Sequence, residues 1–264
     1  MTDITNIHKY AEELRSTGVV HFKKLFNAGD MLSLKAAIDA VISKPSPFGS
    51  QLQSDLSKGS FFMDYNNWSR IPEVYEICKH SKLINAVRNL TGSKNGWLFH
   101  DHELVKEGQS IATPWHHDRP YYIFKGNLNL SVWIPTTAVS RSSSLVFWKG
   151  SHLFKELYMP KAFGDGKELA SAGNYKRIEE NDVPKDKIID FDMRAGDAII
   201  FYNNTLHASK PHSDPTKREA LSIRLLLDGA SMTKDYINAT PPFDRMGVKV
   251  VEDGDIPERF PKLW

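Results

Sequence analysis

The chain has 264 residues, 41% hydrophobic and 25% charged, which is the composition of a folded globular domain and excludes a disordered chain. Lys plus Arg number 34 against 32 Asp plus Glu, and the basic residues are scattered, so nothing points to nucleic acid or a membrane surface as a partner. The single cysteine, Cys78, excludes an intramolecular disulfide and a Cys-based zinc site.

No stretch approaches the roughly 20 apolar residues that span a bilayer, and Met1 to His8 lacks the apolar core of a secretory signal. The expectation is a soluble, cytoplasmic protein acting on a small molecule, with one domain over residues 1–264 and an oligomeric state the sequence leaves open.

In chain order, residues 1–95 are expected to be mostly helical with one strand inserted. Ile7, Tyr10, Ala11 and Leu14 recur at helical spacing, and Gly18 sits where that helix would stop. Val19 to Phe22 reads as a short strand. Asp30 is placed to cap a second helix, whose Leu34, Ala37, Ile38 and Val41 fall on one face. A third helix is expected to open with Pro72 and close before Gly92, with Leu83, Val87 and Leu90 inward.

After Gly96 short β-rich segments dominate. Leu128, Leu130, Val132 and Ile134 alternate with Asn129, Ser131 and Trp133, so the two sets face opposite sides of a strand. Phe99–Lys106, Leu145–Trp148, Ala198–Tyr202 and Ala220–Leu227 are further candidate strands. Many short strands at this density suggest a sandwich or jelly-roll core over residues 96–264. The span 158–187 is polar and Gly-rich, and reads as an insertion that could act as a lid.

The chemistry gathers at Trp115-His116-His117-Asp118 and His207, with Arg218 downstream. His-x-Asp on a strand directs both side chains to the same face. With one further histidine they make a 2-His-1-carboxylate facial triad, which leaves three positions of Fe(II) open for a co-substrate and dioxygen. His207, closing the apolar strand after Ala195-Gly196-Asp197, is the candidate third ligand. Arg218 heads a strand, and its planar guanidinium could hold the distal carboxylate of 2-oxoglutarate through two parallel hydrogen bonds.

These residues resemble the phytanoyl-CoA dioxygenase-like (PhyH) family of Fe(II)- and 2-oxoglutarate-dependent oxygenases. The resemblance runs over most of the chain. Tyr10 to Ile42 is similar to the family's helix, strand and helix, Pro114 to Asp118 to its iron motif, and Phe147 to His152 to its Gly-Ser-His turn. Ala195 to Ser209, with Arg218, is similar to the second half of its site. The resemblance implies a mainly β, double-stranded β-helix fold with flanking helices, and Fe(II), 2-oxoglutarate and dioxygen as requirements, with ascorbate helpful. It further implies that Trp133, Ser209 and His102 line the 2-oxoglutarate pocket. His117 stands where Gln is frequent, and strand phase turns it away from the metal. Trp148-Lys149 precedes Gly150 where a Pro is common, which bears only on the local turn. Halogenating relatives replace the carboxylate by Gly or Ala, so Asp118 favours hydroxylation.

Two rival readings are defined by residues. His100-Asp101-His102 with Glu107 resembles the first motif of the cupins, a jelly-roll metalloenzyme class of isomerases and 2-oxoglutarate-independent dioxygenases, although Gly96 and Gly108 are badly spaced for it. A non-catalytic jelly-roll binding module would need neither the triad nor Arg218. Arg224 shares strand phase with Arg218, but six residues of strand span about 20 Å, which suggests a structural ion pair deeper in the barrel. Tyr121, Tyr122, Trp68 and Asn66 are candidate substrate contacts. The insertion leans toward a small, polar substrate. Acyl-CoA thioesters, amino-acid derivatives, phosphonates and secondary metabolites all remain open.

Overall fold

The computed structural model describes residues 6–53, 59–163, 166–169, 175–212, 217–237 and 239–264. Helix α1 (Ile7–Thr17) leads into β1 (Val19–Phe22), and α2 (Ala28–Ser43) into β2 (Ser50–Gln53) and β3 (Ser60–Tyr65). Helices α3 (Pro72–Cys78) and α4 (Ser81–Thr91) precede β4 (Gly96–Glu107), β5 (Thr113–His116), β6 (Phe124–Lys125), β7 (Leu130–Pro135) and β8 (Leu145–Trp148). The chain continues through β9 (Leu157–Tyr158), β10 (Tyr175–Lys176), β11 (Ile188–Asp190), β12 (Ala198–Tyr202), β13 (His207–Ser209), β14 (Arg218–Leu227) and β15 (Ser231–Met232).

Local chemistry sets the helix ends. Gly18 stops α1 at φ 86°, with its N–H on Leu14 O, and a Cβ there would meet Thr205 Oγ1 at 2.7 Å. The cap of α2 differs from the sequence expectation. Asn27 is the N-cap, and Asp30 answers it from the third helical position, so the two close a capping box. The single helix expected from Pro72 to Gly92 is two, because Lys79 ends α3 and His80 caps α4 by accepting the Lys82 N–H.

Two antiparallel sheets face each other as a double-stranded β-helix. The larger runs β1-β12-β7-β14-β4-β3-β2, and the smaller β11-β8-β13-β5. The expectation of one strand in the first ninety residues is corrected here: β1 lies at one edge of the large sheet, while β2 and β3 extend the other by pairing onto β4. Helices α1 to α4 cover the outer face, where Leu14, Leu34, Ile38, Leu83 and Val87 join Val132, Ile134, Ile200 and Ile223 in the largest core. Alternation along β7 then turns Ser131 and Trp133 inward, and Trp133 packs with Phe147, Ile199 and Phe201 between the sheets. Among the described residues no helix is long and apolar enough to cross a membrane.

Candidate metal centre

His116 is the last residue of β5, and His207 the first of β13. The two are paired neighbours in the small sheet, and their rings lie 4.2 Å apart. His207 therefore does not close the strand that follows Gly196, as its sequence position suggested. That strand, β12, belongs to the large sheet and ends at Tyr202. The chain then turns, with Thr205 Oγ1 donating to Gly18 O, and crosses to the small sheet at His207. Asp118 also lies outside its strand. At φ −69° and ψ −27° it stands in helical conformation after β5, with its N–H on Asn203 O. A turn held by the 203–206 crossing, and not the pleat, brings its carboxylate to the two imidazoles.

Each imidazole is oriented through its other nitrogen. His116 Nδ1 donates to Pro114 O at 2.8 Å and His207 Nδ1 to Thr205 O at 3.0 Å, which leaves both Nε2 atoms as acceptors. These Nε2 atoms lie 4.0 and 3.9 Å from the same atom, Asp118 Oδ1. The other carboxylate oxygen is engaged, for Oδ2 accepts from Ser131 Oγ at 2.9 Å and faces Arg224 Nε at 3.3 Å. Burial alone would raise the Asp118 carboxyl, but several contacts together, the Arg224 guanidinium first among them and the Ser131 hydroxyl included, hold the group well below the usual carboxylate range. Burial pushes the His207 imidazole down to about 3 and lowers that of His116, so both imidazoles are neutral at ordinary pH, as metal ligation requires. The three ligating atoms lie within 4.8 Å of one another, the only such group of three among the described residues. This donor set fits a divalent cation held on one face.

His117, between the ligands, faces away and accepts the Tyr158 N–H on Nε2 at 2.9 Å. The cupin-type cluster does not assemble. His100 and His102 are buried, whereas Glu107 is exposed at the far end of β4, seven residues of strand from His100.

The triad opens into a cavity of about 220 Å³ between the sheets. Its wall includes Arg218, Trp133, Ser209, His102, Tyr121 and Tyr122. Arg218 is buried, donates to Ser143 O and lies 5.9 Å over the Trp133 ring. Burial lowers its guanidinium to about 10, which leaves it charged at neutral pH. The hydroxyls of both tyrosines are committed, Tyr121 donating to Lys161 O and Tyr122 accepting from Arg224 Nε, so their rings form the wall.

Trp68 and Asn66 lie elsewhere, contrary to expectation. Asp101 accepts the N–H groups of Asn67 and Trp68 at 2.8 Å each, and strand alternation points Asp101 to the helix side of β4, away from His100 and His102. Arg224 does form an ion pair, but at the centre of the site and not deeper in the barrel.

Sequence reasoning missed Lys106 and Phe163, and gave Ser131 and Arg224 no role here. Ser131 shares the face of Trp133, and Lys106 that of His102, so strand phase was an available signal. Phe163, 4.9 Å from the His116 ring, comes from the polar insertion and carried none. Of that insertion, residues 164–165 and 170–174 lie outside the described residues. Ala162, Phe163 and Leu169 line the cavity.

A family model, phytanoyl-CoA dioxygenase (PhyH), matches residues 14–220. The chain belongs to this family. The PhyH enzymes depend on Fe(II) and 2-oxoglutarate, and in this member His116, Asp118 and His207 could hold the metal. No curated protein matches the chain. Among solved structures it is similar to the epimerase SnoN in complex with Fe3+, alpha ketoglutarate and nogalamycin RO. The identity is 21%, the match covers 99% of this chain and 100% of that one, and the TM-score is 0.77. It is also similar to the carbocyclase SnoK from nogalamycin biosynthesis, at 19% identity, 96% and 95% coverage and a TM-score of 0.73. EvdO2 from Micromonospora carbonacea var. aurantiaca, complexed with 2-oxoglutarate, matches at 14% identity, 87% and 94% coverage and a TM-score of 0.64. At these identities the likeness concerns the fold.

Proposed function

We propose that this PhyH-family enzyme hydroxylates a small molecule, with Fe(II) held by His116, Asp118 and His207 and the distal carboxylate of 2-oxoglutarate held by Arg218. The observation that carries this reading is the division of roles within Asp118, whose Oδ2 is tied to Ser131 and Arg224 while Oδ1 faces two acceptor nitrogens. Bound iron supplies oxidation of a C–H bond, coupled to conversion of 2-oxoglutarate to succinate and carbon dioxide.

The chain's own part is binding, orientation and exclusion of water. Arg218 offers a fork of donors at one end of the cavity, and Trp133 and Ser209 complete that end, while His102 lines the wall four residues along β4 from Lys106, the strand partner of Arg218. Tyr121, Tyr122, Phe163 and Leu169 give the substrate end an apolar wall beside the His116 ring. This wall supports a substrate with an apolar body, in place of the polar one that the insertion's composition suggested. Asp118 occupies the ligand position that halogenating relatives leave vacant, which favours hydroxylation over halogenation.

A second reading is favoured by the activities of SnoN and SnoK, an epimerase and a carbocyclase on the same fold. Turnover under labelled dioxygen separates the two. Hydroxylation gives a product carrying one labelled oxygen atom, with succinate formed in step. A product of unchanged mass supports epimerisation, and loss of two hydrogens supports ring closure. A chlorinated product from the unmodified enzyme excludes the hydroxylase reading.

A further inference from the structure

Lys106 has no exposed surface, and among the described residues neither it nor Arg218 has a carboxylate partner. The two are direct cross-strand neighbours on β4 and β14, so charging both at once costs stability unless an anion relieves it. Lys106 Nζ lies 4.7 Å over the Phe61 ring and donates to Ile111 O at 2.7 Å and to Ser209 Oγ at 2.8 Å. Ser209 Oγ also accepts the Thr113 N–H at 3.3 Å. A hydroxyl has two acceptor lone pairs and one hydrogen, so Ser209 has both lone pairs taken and keeps its hydrogen for the cavity it lines.

We propose that Lys106 is a positioning residue of the co-substrate seat, fixing Ser209 as a hydrogen-bond donor toward the carboxylate that Arg218 holds and adding a second positive charge behind it. This rests on the reading of Arg218 as the 2-oxoglutarate anchor. A carboxylate then meets a charged fork from one strand and an oriented hydroxyl from the other sheet.

The arrangement has a protonic consequence. Burial first, and then the charge of Arg218, hold the Lys106 amine down to about 6, and no other charged group acts on it from β3, β13 or β14. Before the anion arrives Lys106 is therefore mostly neutral at pH 7.5, and as an amine it still has two hydrogens for Ile111 and Ser209. A carboxylate beside it favours the charged form, so binding draws a proton from the buffer onto Nζ.

Calorimetric titration of the anaerobic Fe(II) protein with 2-oxoglutarate, in buffers of different ionisation enthalpy at pH 7.5, reads that proton directly. The wild type should take up about one proton per 2-oxoglutarate bound. Lys106→Met should abolish the uptake and weaken binding about tenfold or more, seen also as a raised KM for 2-oxoglutarate at little-changed kcat. Ser209→Ala should weaken binding and keep the uptake. Lys106→Arg, which keeps the charge without a titrating amine, should lose the uptake and recover part of the affinity. Uptake that persists in Lys106→Arg, or wild-type affinity and uptake in Lys106→Met, overturns the proposal. Wild-type affinity in Arg218→Ala instead overturns the underlying anchor assignment, so the two failures are distinct.

Discussion

Arg224 Nε lies 3.3 Å from Asp118 Oδ2, and both side chains are buried beside the candidate metal site. The same Nε donates to Tyr122 OH at 2.8 Å and Nη1 to Ser222 Oγ, so the guanidinium is held at two of its nitrogens. It holds one oxygen of the carboxylate and leaves the other to the metal position. Partners of this kind set ligand orientation, and their loss typically costs about 10–100-fold in metal affinity.

Arg224→Met should accordingly weaken Fe(II) binding by about that factor in an anaerobic titration. It should also lower the unfolding temperature, because removing one member of a buried pair costs about 3–5 kcal/mol. Arg224→Lys should recover only part, since a point charge cannot reproduce the fixed geometry by which the guanidinium faces Asp118 while bonding Tyr122 and Ser222. Wild-type metal affinity in Arg224→Met would show that the pair has no part in the site.

The unmodified protein should bind about one Fe(II) per chain, the stoichiometry of a single facial triad. His116→Ala and His207→Ala should each lose that metal and all turnover. His100→Ala should keep the metal, because its imidazole stands outside the triad and donates to Asp101 O. Asp118→Gly should lose hydroxylation, and added chloride should not restore it. Retention of full activity in His116→Ala would sink the metal assignment.

Arg218→Ala should weaken 2-oxoglutarate binding by two orders of magnitude or more, from about 3–5 kcal/mol for an orphaned buried charge at about 1.4 kcal/mol per tenfold. Arg218→Lys should restore part of it. Quenching of protein fluorescence on anaerobic titration, with Trp133 in the cavity wall, measures the affinity without turnover.

The metal-free protein should be acid-labile. Burial pushes His102 down to about 3 and His117 to about 4, and puts His100 well below its ordinary range. In the unfolded chain these groups protonate near pH 6.5, so between there and about pH 4 the unfolded state binds more protons. The stability these three histidines contribute is therefore full above about pH 6.5 and falls with decreasing pH, by up to roughly 1.4 kcal/mol per pH unit for each. Denaturant midpoints measured from pH 8 to pH 4.5 test this, and a midpoint independent of pH would show that these imidazoles are not buried neutral.

The sequence by itself determined the residue types of the candidate ligands and, within the strands, which side chains share a face. Period-two alternation put Trp133 and Ser131 opposite Val132 and Ile134, and the packing of β7 follows that pattern because side-chain direction is a local property of extended backbone. The stop at Gly18 and the strand headed by Arg218 are equally local. Where the helices begin was less legible, since Asn27 and Asp30 are both good capping residues and only the closed box distinguishes their roles. The tertiary structure decided which side chains meet. Asp118 reaches the histidines through a turn anchored on Asn203, His207 by crossing between sheets, and Arg224 through the register of β14 against β4 and β7. Lys106 meets Ser209 for the same reason, and Phe163 reaches His116 from an insertion without periodicity. Contacts between distant segments depend on strand register and on where each chain crossing falls. Both are fixed by burying the two sheet faces together, and no local run of residues encodes them.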